Sequence, residues 1–103
     1  MHLRGKQKRY LRSLANSMRP IFTVGKAGLN QRWLTEVERA LRRRELVKIK
    51  ILPNAAVTVN ETKEFFKQQN SIQVIQVLGK TLLLFAVSTQ PKYRKISTAV
   101  GNI

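Results

Sequence analysis

The sequence predicts a single compact α/β domain with helices packed on a four-stranded mixed sheet, and three patterns carry that prediction. Apolar residues recur at helical spacing over 6–18 and again over 34–41, they alternate over 47–51, and two β-rich runs flank a Gly-Lys pair near the end. A chain of 103 residues closes one hydrophobic core and leaves no room for a catalytic domain with a partner domain. With 43% hydrophobic residues it buries enough apolar surface to offset chain entropy.

The elements follow in order. Leu11, Leu14, Ala15 and Met18 form one stripe, with Lys8, Arg9 and Arg12 on the other side, which predicts an amphipathic helix over Lys6–Met18 stopped by Pro20. The β-prone run Ile21–Val24 ends at Gly25, and a second helix starts after Gly28 with Asn30 as its N-cap. Leu34, Val37 and Leu41 are its buried stripe, flanked by Trp33, and Glu38 and Arg42 are placed for an i,i+4 pair. Val47, Ile49 and Ile51 alternate with Lys48 and Lys50, the signature of a half-buried strand with one lysine-bearing face.

The stretch from Asn54 to Gln69 gives conflicting signals: Val57-Thr58-Val59 favours strand, whereas 60–69 favours helix. Ile72–Leu78 and Thr81–Val87 read as an antiparallel hairpin, with Gly79-Lys80 matching a type II′ turn. The second run is apolar almost throughout and belongs in the middle of the sheet, covered on both faces. The predicted order is therefore α-β-α-β-α-β-β for a domain of residues 1–88, and the basic, aperiodic residues 89–103 read as a mobile tail.

Charge points to the partner. Twenty Lys and Arg stand against five Glu, a net charge of +15, and self-repulsion on that scale calls for a polyanion. Residues 1–50 hold fourteen of the cations and three of the acids, so the N-terminal half should meet it. Met1–Arg19 carries no acid at all, which favours contact with RNA over a merely solvated face, although a mitochondrial presequence or a lipid-binding helix shares the pattern. The longest apolar run, Leu82–Val87, is too short to span a bilayer, and the absence of cysteine fits a cytoplasmic protein.

Catalysis is hard to build here. Asp and Cys are absent, His2 is terminal, and each Glu reads as structural, so neither an enzyme nor a metal or other cofactor is expected. Gly79-Lys80-Thr81 lacks the upstream glycine of a nucleotide-binding loop.

The candidate RNA-binding site is Gly25-Lys26-Ala27-Gly28, followed by Asn30 at a helix start. Glycines there let the backbone approach phosphate, free N–H groups face it, and Lys26 adds a point charge. Lys6, Lys8, Arg9 and Arg12 extend the surface along the first helix. Arg42, Arg43, Arg44, Lys48, Lys50 and Lys80 are further candidates, although the arginines equally suit a helix C-terminus and the strand lysines equally protect an edge. Tyr10 and Tyr93 are the aromatics left for stacking, so affinity should be largely electrostatic.

Four blocks, Gly5–Arg12, Val24–Leu29, Arg44–Lys50 and Gln76–Leu82, together resemble the CRM (chloroplast splicing and ribosome maturation) domain, and most of all its stand-alone bacterial members. The resemblance covers about residues 3–87. It implies a fold similar to the C-terminal domain of translation initiation factor 3, with RNA bound around Gly25–Gly28. It also implies a third helix extended back towards Asn54. For a lone chain of this kind it implies binding to ribosomal RNA in precursors of the large ribosomal subunit, and a monomer is expected. A permanent ribosomal protein and an intron-splicing factor are the alternatives.

Overall fold

The computed structural model describes residues 2–103. In chain order these form α1 (Gly5–Ala15), β1 (Phe22–Val24), α2 (Gln31–Arg44), β2 (Leu46–Ile51), α3 (Val59–Lys67), β3 (Gln73–Leu78), β4 (Thr81–Phe85), a 3₁₀ turn (Pro91–Tyr93) and α4 (Lys95–Gly101). The strands lie in the order β1-β2-β4-β3, with β1 parallel to β2 and both β4 pairings antiparallel. This is the expected mixed α/β sheet, with one helix more than the sequence patterns predict.

Strand alternation divides the core in two. Val47, Ile49, Ile51, Leu82 and Leu84 face α2 and α3, where they meet Leu34, Val37, Leu41 and Phe66. Leu46, Leu83 and Phe85 face the other way, towards Leu11 and Ala15 of α1 and Val100 of α4. A bulge at Ile75 turns that side chain towards α1 while Val74 stays with the opposite layer. β4 is central and covered on both faces, as its unbroken apolar run requires. The hairpin also forms as expected, with Gly79 at φ +58 in the first turn position.

Three local predictions change. The first helix ends at Ala15 rather than Met18 because Asn16-Ser17 offers side-chain alternatives to the helical ladder; the Ser17 hydroxyl donates back to the Leu14 carbonyl at 3.4 Å. The third helix starts at Val59, so neither a strand over 57–59 nor a start near Asn54 is found. A capping box fixes that start: the Glu61 amide donates to Thr58 Oγ1 at 3.0 Å, and the Thr58 amide to Glu61 Oε1 at 2.9 Å. The Glu38–Arg42 pair is replaced by Glu36–Arg39 at 3.3 Å and Glu64–Lys67 at 3.8 Å, both exposed.

The largest difference lies after Ser88. Read from its pattern as a tail, this segment instead forms the 3₁₀ turn and α4, and it buries Val100 completely. The radius of gyration, 13.2 Å, is what a compact chain of this length should have, about 13 Å, so the segment folds back onto the domain. Gln7 Nε2 donates to the Val100 carbonyl at 3.0 Å and ties α4 to α1.

Glu45 holds this segment in place. It is the single residue between α2 and β2, sits at φ 63 in the left-handed region, and is fully buried. Its carboxylate accepts from the Ser88 amide at 2.7 Å, the Ser97 amide at 2.8 Å and the Ser97 hydroxyl at 2.6 Å. Replacing Glu45 with Ala strands all three donors and should lower unfolding stability by about 3 kcal/mol. Urea denaturation measures that loss, and amide exchange should show α4 opening first.

Candidate nucleic-acid interface

The glycine-framed loop leaves the carboxyl end of β1, at the edge of the sheet. It is a tight turn: the Gly28 amide donates to the Gly25 carbonyl at 3.0 Å, and the Ala56 amide reaches the same oxygen at 3.0 Å. The amides of Lys26 and Ala27 have no acceptor among the described residues, and both residues are exposed. Asn30 caps α2 as expected, its Oδ1 accepting from the Trp33 amide at 2.9 Å. That oxygen is therefore occupied, and the Asn30 carboxamide NH₂ is the part left for a ligand.

The two glycines do different work. Gly28 has φ +68, and a Cβ there would meet Ala56 Cβ at 3.4 Å, so the turn itself needs glycine. Gly25 has ordinary dihedrals, and a Cβ would find only Leu52 Cδ1 at 3.6 Å. Folding does not require glycine at that position, but close approach of a ligand to the backbone would benefit from it.

Strand register places more of the sheet beside this loop. Thr23 pairs with Lys50, Lys50 with Thr81, and Thr81 with Leu78, one row across all four strands on the side where α1 packs. Helix α1 contacts β2 and β3 but leaves this row uncovered: Thr23 and Lys50 are exposed, and Leu78 is 69% exposed. Beside it a cavity of about 130 Å³ opens between Ala15 and Asn16 at the end of α1 and Gln76 and Thr81 of the hairpin. Lys80 adjoins the row, because its carbonyl accepts from the Ile51 amide at 2.7 Å.

Of the residues singled out from the sequence, the structure brings Lys26, Lys50 and Lys80 to this one end of the sheet. Lys6, Lys8 and Arg9 are exposed and Arg12 half-exposed on α1, over the same sheet face. Lys48 is not free. It is half-buried, and its Nζ donates to the Met18 carbonyl at 3.1 Å, which clamps the chain after α1. Arg42, Arg43 and Arg44 lie at the opposite end of α2, a helix of 14 residues and so about 20 Å long. Trp33 is structural: its Nε1 donates to the Thr23 carbonyl at 3.0 Å, and its ring lies 5.7 Å from that of Phe66.

Sequence reasoning missed Thr23, Thr81 and Leu78. The hydroxyl pair was visible as polar positions within apolar strands, but nothing local told that the two threonines flank Lys50.

The electrostatics are one-sided. Glu45 is buried, Glu61 caps α3, Glu36 and Glu64 pair along their own helices, and Glu38 lies half-buried on α2, so among the described residues none of the five glutamates forms an ion pair with a cation of α1 or of the loop end. Among the described residues no cluster of His, Cys, Asp or Glu suits a metal ion, and no helix is long and apolar enough to cross a membrane.

An α/β domain that ends a parallel strand in a glycine-framed loop, with two unpaired amides and exposed lysines at the same end, has the arrangement in which backbone N–H groups can meet an anion. Comparison with known proteins makes the class specific: the chain belongs to the CRS1/YhbY (CRM) domain family, whose model matches residues 3–85. It is 39% identical to "Probable RNA-binding protein YqeI" of Bacillus subtilis, over 87% of this chain and 94% of that protein. It is 32% identical to an RNA-binding protein of Haemophilus influenzae, over 84% and 88% respectively. The solution structure of SAV1595 from Staphylococcus aureus superimposes with a TM-score of 0.70 at 35% identity, covering 91% of this chain and 98% of that one.

The unequal glycines give a clean prediction. Gly28→Ala should cost about 1–2 kcal/mol through its left-handed dihedral, whereas Gly25→Ala should change stability by less than about 0.5 kcal/mol. Denaturant titration of the two variants checks the difference.

Proposed function

We propose that this chain is an RNA-binding protein, not an enzyme, that grips ribosomal RNA backbone while the large ribosomal subunit is being assembled. The observation that carries the reading is the loop end of the sheet, where Lys26, Lys50 and Lys80 share one end with two unpaired backbone amides and none of the three lysines is in an ion pair. Membership of the CRM family and the names of the relatives support RNA as the polyanion.

In this reading a phosphate sits against the Lys26 and Ala27 amides, where Gly25 presents no side chain to keep it away. Lys26 contributes a mobile charge above it. The row Thr23-Lys50-Thr81 supplies hydroxyls and an ammonium for the neighbouring phosphate or a ribose 2′-hydroxyl, and the α1 cations follow the strand further. Residues 1–88 form the RNA-binding unit, and α4 braces α1 from the same side of the sheet. The protein acts in the cytoplasm as a monomer and leaves the finished particle.

The uncovered row also favours recognition of shape over sequence, because few aromatic faces are free for stacking. Phe22, Trp33, Phe66 and Phe65 form a chain of ring contacts, each packed against the next. Binding should therefore be steeply salt-dependent.

A salt series of binding to ribosomal RNA fragments tests the site. Lys26→Glu should weaken binding at every salt concentration and lower the slope of log affinity against log salt by about one or more, with circular dichroism unchanged. Gly25→Val, folded but with a bulky group at the point of approach, should lose affinity likewise. If both variants bind like wild type, the loop is only a turn. Sedimentation separates the biological readings: the protein should travel with large-subunit precursors, and full occupancy of mature ribosomes would indicate a permanent ribosomal protein.

A further inference from the structure

A second cationic site lies at the far end of α2, built partly from residues beyond the 3–85 that the family model matches. A cavity of about 310 Å³ is lined by Arg39, Arg42 and Arg43 of α2 and by Gln90, Lys92 and Tyr93 of the C-terminal segment. We propose that this cavity binds a second phosphate of the same RNA, with the Tyr93 ring as a stacking surface for the adjoining base. The proposal rests on the RNA-binding reading and extends it from one contact region to two.

The helix dipole accounts for arginines at the end of α2, but not for Lys92, which arrives from a separate segment. That segment is fastened there. Ser88 Oγ donates to the Arg42 carbonyl at 2.6 Å, the Gln90 amide to Ser88 Oγ at 3.0 Å, and Arg94 Nε to the Ser88 carbonyl at 2.7 Å. The fold thus holds a lysine against a cluster of arginines, with no carboxylate lining the cavity. The nearest acid engaged with any of them is Glu36, in an exposed pair with Arg39 outside it. Like charges gathered around a concavity raise its potential and concentrate anions in it.

The aromatic ring selects the kind of anion. Lys92 Nζ lies over the half-buried Tyr93 ring, 5.0 Å from its centre, and both line the cavity, so a phosphate that draws the ammonium away uncovers the ring face for a base. A nucleotide offers the matching pair, a phosphate and a base, and RNA strands are recognised by that combination. The two sites are separated by the length of α2, about 20 Å. One RNA has to run along the domain to fill both.

The test uses the full chain, a single-stranded oligouridylate and a structured ribosomal RNA fragment. In nuclear magnetic resonance titrations the oligouridylate should shift the Lys92 and Tyr93 resonances of wild type, and it should still shift them in Lys26→Glu. The folded double variant Arg43→Gln, Lys92→Gln should bind the ribosomal RNA fragment with a salt slope lower by about 1.4, two contacts at the single-strand value, while loop resonances still respond. Tyr93→Leu should weaken oligouridylate binding without changing that slope. Loop resonances that respond to RNA while Lys92 and Tyr93 stay unmoved would overturn the second site and leave the first intact. Failure of wild type to bind either RNA would remove both readings. A shift at Tyr93 produced by an acidic peptide and not by RNA would reassign the cavity to a protein partner and overturn the proposal.

Discussion

The turn between α2 and β2 has a single residue in it, and that residue is a buried glutamate. A helix that must reverse into a strand within one step needs a left-handed residue, usually glycine. Glu45 accepts that backbone cost, and its side chain compensates by collecting donors from Ser88, just beyond β4, and from Ser97, in the first turn of α4. Since Arg94 supplies no side-chain cap to α4, the carboxylate from another part of the chain does so in its place. Its own carbonyl accepts from the Ala86 amide at 3.0 Å, which extends the pairing of β2 with the central strand. One residue thus fixes where α2 ends, how β2 and β4 meet, and where the C-terminal helix lies against α1.

That bracing has consequences for the proposed binding face. With α1 and α4 sharing one side of the sheet, α1 is held over β2 and β3, and the row from Thr23 to Leu78 stays open. The loop sits at the carboxyl end of a parallel strand pair, the end at which open α/β sheets commonly receive ligands. Here the sheet also contributes its own side chains. Lys48 and Lys50, two residues apart on one strand face, end up with different tasks because α1 and the segment after it reach the first and stop short of the second.

Much of this was legible from the sequence, and the remainder failed for identifiable reasons. The stripe Leu34, Val37, Leu41, the alternation of 47–51 and the Gly79-Lys80 hairpin are local patterns, and local geometry obeys them. The capping box Thr58–Glu61 was equally local, but the β-branched Val57 and Val59 competed with it; two satisfied amides at a helix start decided the matter. Helix α4 spans 7 residues, too few for a helical period to stand out, and it is stabilised by contacts with Glu45 and Gln7, far away in sequence. The loop was readable as a motif. The row beside it was not, since it exists only once β4 is inserted between β2 and β3.

Charge along the chain and charge in space also differ, and the difference bears on how the domain meets a polyanion. The N-terminal half holds most of the cations, which suggests a single basic half. Folding dissolves that division: Lys80, from the hairpin, joins Lys26 and Lys50 at one end of α2, and Lys92, from the last segment, joins Arg42 and Arg43 at the other. The C-terminal half has few cations, but the fold places two of them where the N-terminal ones already cluster. Repulsion alone would push them apart, so hydrogen bonds from Ser88 and the closure of the hairpin on β2 have to hold them there. A surface maintained against its own electrostatics in this way suits the proposed ligand, because a nucleic-acid strand carries negative charge over a length comparable to the domain.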